Sequence, residues 1–234
     1  MKRSLVFAAA VLMLSLAGCS GDDPSQGKVS LSVYLKAGVT AEQRSAVEQR
    51  LRTTSYLEGV TFESREQAYA NFKERFKDDP AMWQQIKPEE MPESFTTVVT
   101  DGSLAEAVEI MLGTLEGVSN ATINGAASQD PEVKTIGVIL RLSESVTSEQ
   151  RDAITNAVRA LPQAESIRTE SRDDAFERLK KSCDGKADLT ATLDPAKTHA
   201  SVRFTMRLEK SPGFTGLRQL AGVTSMHLVP VSTL

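Results

Sequence analysis

Val29, Leu31, Val33 and Leu35 alternate with Ser30, Ser32 and Tyr34, the two-residue period of a strand with one buried face. Ile136, Val138, Leu140 and Leu142 form a second such series further along the chain. Each series is followed by a capping-box spacing, Thr40 with Gln43 and Thr147 with Gln150, so a helix is expected to start at each. Val47 and Leu51, or Ile154 and Val158, stand four apart and mark the inward side of those helices. In the first half the pattern then predicts a strand at about 59–63 and a helical stretch at 65–78. The strand "SFTTVVT", a helix at about 103–114 and a last strand at 118–123 follow. "LEGV" occurs at 57–60 and at 115–118, each time at a predicted handover from helix to strand. Glycine there fits a left-handed C-terminal cap.

The two series belong to a duplication. "VTAEQRSAV" at 39–47 returns as "VTSEQRDAI" at 146–154, and "ESREQAYANFK" at 63–73 returns as "ESRDDAFERLK" at 170–180. "ESF" at 93–95 corresponds to "ASV" at 200–202 in the same register, and "LEGVSNATI" at 115–123 aligns with "LAGVTSMHL" at 220–228 after a two-residue gap. Matches held in register over that span define two tandem domains, 28–124 and 134–234, joined by a linker at 125–133 rich in Gly, Ser, Asp and Pro. Within each copy the order is β-α-β, a helical insertion, then β-α-β. The expected fold class is therefore α+β: two ferredoxin-like split βαβ sheets, each with an insertion forming a second lobe.

The first residues follow another logic. Met1, Lys2 and Arg3 precede an apolar run from Leu5 to Leu16, too short to span a bilayer but suited to a secretion signal. The run ends in Leu16-Ala17-Gly18-Cys19, which looks like a bacterial lipobox. That motif implies a signal peptide at 1–18 and acylation of Cys19 by chains such as palmitate. Burial of two or three acyl chains, at about 0.8 kcal/mol per CH₂, would anchor the chain firmly on the extracytoplasmic face of the cell membrane. Residues 19–27 then read as a polar tether.

Composition removes several function classes. The net charge of −4, without any basic cluster, argues against a nucleic-acid surface. No phosphate loop, HExxH, GxSxG or CxxC occurs, so neither cofactor nor metal is expected. The two histidines, His199 and His227, lie in or beside predicted strands of copy two and are read as structural. Acidic pairs such as Asp78-Asp79, Glu89-Glu90 and Asp173-Asp174 are read as solvated helix ends and loops. With no catalytic residue in view, the expectation is a non-enzymatic protein. Cys183 lies on the helical stripe Phe176, Leu179, Cys183, which matches Tyr69, Phe72, Phe76 of copy one, and is expected to pack rather than react.

"SVYLKAGVTAEQR", "VTFESREQAYANFKERFKDDP" and "MPESF" together resemble the extracellular domain of the cell-division protein FtsX. The resemblance covers copy one almost entirely and copy two more faintly. It implies a non-catalytic domain that binds a peptidoglycan hydrolase or an adaptor outside the membrane, with the helical lobe as docking surface. The permease helices of that family have no counterpart in the pattern, and a lipid anchor cannot carry an ATPase stroke across the bilayer.

The stretch "FKERFKDDPAMWQQIKPEEM" at 72–91 holds the single tryptophan of the chain. Tyr69 and Phe72 are expected in the core. Asp78-Asp79-Pro80 are expected to cap a second short helix, with Pro80 at its first position. An insertion of this size buries little apolar area alone, so Phe76, Met82, Trp83, Ile86 and Met91 are the candidate partner-binding residues. Copy two has "LKKSCDGKADLTATLDPAKT" in the same slot, with Leu189 and Leu193 but neither aromatic nor Met, as if only copy one kept a binding duty. The expected partner is a peptidoglycan hydrolase or adaptor, or a divisome or ABC-transporter component. The rival reading is a ligand-sensing or transporter-accessory lipoprotein.

Overall fold

The computed structural model describes residues 27–84, 86–126, 134–208 and 214–234. The expected signal peptide, Cys19 and nearly all of the tether lie outside the described residues. Copy one runs β1 (Val29–Leu35), α1 (Ala41–Thr53), β2 (Leu57–Glu63), α2 (Arg65–Arg75), β3 (Ser94–Val99), α3 (Ala105–Leu112) and β4 (Val118–Ala126). Copy two runs β5 (Thr135–Leu142), α4 (Ser148–Arg159), β6 (Ala164–Glu170), α5 (Arg172–Ser182), α6 (Ala187–Thr190), β7 (Ser201–Arg207) and β8 (Val223–Val229). The slot of α3 is taken in copy two by a 3₁₀ helix, Phe214–Gln219.

The sheets are four-stranded and antiparallel, in the orders β2-β3-β1-β4 and β6-β7-β5-β8. This is the split βαβ arrangement that the repeat predicts. Both predicted capping boxes form, Thr40 with Gln43 and Thr147 with Gln150. Two more close the starts of α2 and α5, Ser64 with Gln67 and Ser171 with Asp174. Each cap satisfies orphan backbone donors and is worth about 1 kcal/mol.

The two sheets differ in what lies on their second face. In β1, Val29, Leu31, Val33 and Leu35 point to the helices as expected, and Ser30 and Tyr34 are only half-buried. In β5 the expected alternation fails, because all residues from Gly137 to Leu142 are buried. Val138, Leu140 and Leu142 belong to the core of copy two, whereas Ile139 belongs to that of copy one. The second face of the copy-two sheet is thus packed against copy one, and the strand is buried on both sides.

What it covers is α3, "AEAVEIML", with Ala105, Ala107, Val108, Glu109, Met111 and Leu112 all buried. A helix that is apolar nearly all round needs neighbours on every side. Here it lies between the sheet of its own copy and the second copy. One core cluster joins Val29, Leu31, Val33, Val108 and Leu112 of copy one to Ile139, Leu179, Cys183, Leu189 and Val229 of copy two.

Four local expectations change. Gly59 and Gly117 do not cap helices: α1 ends at Thr53, and Gly59 sits inside β2 at a register shift, with φ 63°. Gly117, φ 87°, lies next to β4, past the end of α3. The insertion helix α2 stops at Arg75, and β4 runs through Ala126, two residues into the expected linker. Tyr69 and Phe72 are half-buried and belong to neither core cluster; Ala68 is the buried residue of α2.

Candidate functional site

The insertion of copy one, lobe one, grows from the end of β2 and returns at the start of β3. Ser64 caps α2, and Glu93 at the return accepts from Arg44 of α1 at 3.4 Å, with the Arg65 side chain 4.0 Å away. Arg44 also lies over the Phe62 ring, 5.3 Å from its centroid, and Phe62 packs on Phe95 at 5.1 Å. These contacts join the lobe's base to the sheet. Beyond the base the packing thins out. Phe72 meets Phe76 with ring centroids 4.8 Å apart.

A single 3₁₀ turn, Pro80–Met82, follows with Pro at its start as expected, but no side chain caps it. The Trp83 indole N–H donates to the Phe76 carbonyl at 3.2 Å, and Lys73 Nζ stands 4.8 Å from the centroid of the Trp83 ring. The Ile86 amide donates to the Trp83 carbonyl at 3.1 Å, and Pro88–Glu90, just ahead of Met91, packs against α2. Trp83 is thus tied to the Phe76 backbone by its indole and to the Ile86 amide by its own carbonyl.

None of the five candidates is buried. Phe76, Trp83, Ile86 and Met91 are half-buried, and Met82 is 47% exposed. Among the described residues of 65–92, Ala68 alone is buried. Lobe one therefore has almost no interior, and its apolar side chains form a surface.

The same insertion in copy two, lobe two, does the opposite. Leu179, Cys183 and Leu189 are buried within the core cluster of copy one, and Leu193 packs against it. The Tyr56 hydroxyl of copy one donates to Asp188 Oδ2 at 2.6 Å, and Arg50 Nη2 approaches the same oxygen at 3.3 Å. Burial and the Asp188 carboxylate push the Tyr56 hydroxyl far above the usual phenol range, while that hydrogen bond holds Asp188 below the usual carboxylate range. Cys183 packs, as expected, and burial raises its thiol.

The sequence reading missed the ionic seam between the copies. Arg141 pairs with Glu109; Arg178 meets Glu106 and Glu170, each at 2.7 Å; Arg203 meets Glu106 at 2.9 Å and Glu170 at 3.3 Å. Three guanidinium groups thus face three carboxylates. Burial alone would raise the Glu106 carboxyl, but Arg203, Arg178 and Arg141 outweigh it and hold the group at about 2. The signal in the sequence was a lone Arg in the apolar run "IGVILRL" and two Glu in the apolar helix "AEAVEIML".

His227 belongs to this seam. A carbonyl can only accept, so the contact of Nδ1 with the Ile123 carbonyl, 2.9 Å, puts the proton on Nδ1. Nε2 then accepts from the Ser225 hydroxyl at 2.8 Å. Burial and the nearby Arg141 lower its pKa, which keeps the ring neutral. His199 is exposed. Among the described residues no group of three or more His, Cys, Asp or Glu is placed to hold a metal, and no helix is long and apolar enough to cross a membrane.

Two ferredoxin-like sheets with helical insertions define a tandem α+β module. The sequence profile described as the FtsX extracellular domain matches residues 28–127 and again 135–225, more than half of the chain. The chain belongs to the FtsX extracellular domain family, an extracytoplasmic module related to cell division. It is similar to the large extracellular loop of FtsX from Streptococcus pneumoniae, solved in solution: 18% identity, TM-score 0.35, covering 41% of this chain and 99% of that one. It is similar also to extracellular domain 1 of FtsX from the same organism, crystallised in complex with undecyl-maltoside: 18% identity, TM-score 0.35, covering 40% and 92%. No curated protein matches the chain.

Proposed function

We propose that the protein is a lipid-anchored, non-catalytic docking module of the extracytoplasmic face, which binds a peptidoglycan hydrolase or a divisome protein through lobe one. The anchor is the acylated Cys19 of the Leu16-Ala17-Gly18-Cys19 motif, after removal of residues 1–18. Two domains, 28–124 and 134–234, follow.

The observation that carries this reading is the unequal fate of one duplicated insertion. Lobe two spends its apolar residues, Leu179, Cys183, Leu189 and Leu193, on copy one. Lobe one carries more apolar bulk and covers it less: Met82 is exposed, and Phe76, Trp83, Ile86 and Met91 are half-buried. Trp and Met in such a setting are the residue types that supply interface anchors.

Capture from envelope extracts with wild type and with a Trp83→Ala/Met82→Ala variant tests the proposal. Loss of a hydrolase or division protein by the variant, with the fold intact, supports it. Identical captures by the two proteins overturn the docking site, and recovery of transporter subunits alone favours a transporter-accessory role.

A further inference from the structure

The second faces of the two sheets are alike in position and differ in chemistry. In copy two that face carries Ile139, Arg141, Arg203 and His227, and it is packed against copy one. The equivalent face in copy one is open. Asn120, Asn124 and Thr61 are exposed on it, and Tyr34, Thr96 and Thr122 are half-buried.

The strand registers set this face out in rows. Thr122 pairs with Ser32, Ser32 with Thr96 and Thr96 with Thr61, so one hydroxyl row crosses all four strands. It spans about 14 Å at about 4.8 Å between strands. Tyr34 lies one row along, between Asn120 and Ser94, and Ser30 lies on the other side, paired with Val98. None of the residues that β1, β3 and β4 present on this face is charged. The carboxylates stand on β2 at the sheet edge, and both are engaged: Glu58 with Lys28 at 2.6 Å, and Glu63 with the Asn71 amide at 2.7 Å. Among the described residues a single hydrogen bond joins side chains of this face on β1, β3 and β4, from the Asn124 amide to the Ser32 hydroxyl at 2.8 Å. The fold there makes no use of the Tyr34, Thr96 and Thr122 hydroxyls.

Charge decides what such a face fits. A surface kept only for water carries charge on about 25–35% of its residues, and the chain as a whole is 25% charged. Three adjacent strands without any charge depart from both. The copy-two face shows what a protein helix needs at this position: Ile139 as an apolar seat, and Arg141 and Arg203 for the carboxylates of α3. The copy-one face has neither, so it does not suit a second copy of the chain. Its hydroxyls and amides both donate and accept hydrogen bonds, as the hydroxyl and acetamido groups of sugars do, and pairing them takes no charge out of water. Tyr34 adds an amphipathic ring for the apolar side of a sugar.

We infer that the open face of the copy-one sheet is a binding surface for an uncharged glycan strand. The Tyr34 ring takes the face of one sugar, and the row from Thr122 to Thr61 meets the hydroxyl and acetamido groups of its neighbours. The site goes beyond docking through lobe one and is independent of it, since none of its residues belongs to that lobe.

The probe is a soluble chitin oligosaccharide, uncharged and built of N-acetylated sugars, titrated calorimetrically into the full chain on phosphatidylcholine vesicles. Wild type is expected to bind it. Thr96→Val/Thr122→Val keeps the shape of two β-branched strand residues and removes their hydroxyls, and about tenfold weaker binding is expected from the two lost hydrogen bonds. Trp83→Ala/Met82→Ala is expected to bind the sugar as wild type does, whatever becomes of its protein partner. Absence of binding by wild type at millimolar sugar overturns the inference. So does undiminished binding by Thr96→Val/Thr122→Val, or loss of binding in the Trp83→Ala/Met82→Ala variant, which would move the sugar to lobe one. Dimers of wild type that Thr96→Glu disperses, with no sugar bound, would assign the face to a second copy and overturn it too.

Discussion

The backbone of Ile123 is held from both sides. Its amide donates to Glu109 Oε1 of its own copy at 3.1 Å, and its carbonyl accepts from His227 Nδ1 of the other copy at 2.9 Å. β4 is an edge strand, whose outward N–H and C=O groups would otherwise be free to pair with another chain. At Ile123 that edge is closed within the molecule.

His227 makes the seam sensitive to mild acid. Its folded pKa lies below the ordinary value of 6.5, so the unfolded chain takes up a proton that the folded one does not. Stability is therefore full above about pH 6.5 and falls as the pH drops below it, until the folded ring titrates too. Denaturant midpoints compared at pH 7.5 and pH 5.5 are expected to fall for wild type. A His227→Leu variant is expected to lose part of that pH dependence while being less stable at pH 7.5 by about 1–3 kcal/mol, the cost of leaving the buried Ile123 carbonyl unpaired.

Glu106 is the hub of the ionic seam, facing Arg178 and Arg203 directly. Glu106→Gln leaves buried guanidinium charge without its counter-charge. A loss of about 3–5 kcal/mol is expected, read as a lower denaturant midpoint. In wild type the carboxylate, held at about 2, contributes stability that is present above about pH 4.5 and is lost only as the pH falls toward 2. Stability should therefore fall with acid over two pH ranges, through His227 first and Glu106 later.

Copy two is expected to stabilise copy one directly. Leu189 is fully buried in the core cluster of copy one. Leu189→Ala should cost about 2–5 kcal/mol and speed amide exchange in α3 and β1, which lie in the other domain. Unfolding of the pair is expected as one calorimetric transition, because the core crosses the domain boundary.

Cys183 should not react with thiol reagents in the native state. It is fully buried, and burial raises its thiol pKa, so little thiolate is available to attack. Labelling at the rate of global unfolding is the expected result.

The parts of this structure that are local in sequence were legible in it. Thr40 with Gln43 and Thr147 with Gln150 announce their helices through bonds three residues apart. The duplication follows from register alone, and with it the sheet topology. The seam was not legible, because Arg203 meets Glu106 across 97 residues and no periodicity encodes such a pairing. Ile139 carries the one local signal of the second copy: an apolar residue on the other side of β5 means a second buried face. Phe72 and Tyr69 misled in the other direction. Their helical spacing resembles a core stripe, yet lobe one has nothing beneath it large enough to bury them.

The central claim is that lobe one is a docking surface and lobe two a structural one. Titration of the soluble two-domain chain with the hydrolase or division protein recovered by wild type tests it most directly, using Trp83→Ala/Met82→Ala beside Leu193→Ala. The first variant is expected to weaken binding by at least about 2 kcal/mol, roughly thirtyfold in Kd, with little change in thermal stability. The second should lower stability and leave the affinity unchanged. Equal affinity of wild type and the Trp83→Ala/Met82→Ala variant would contradict the account.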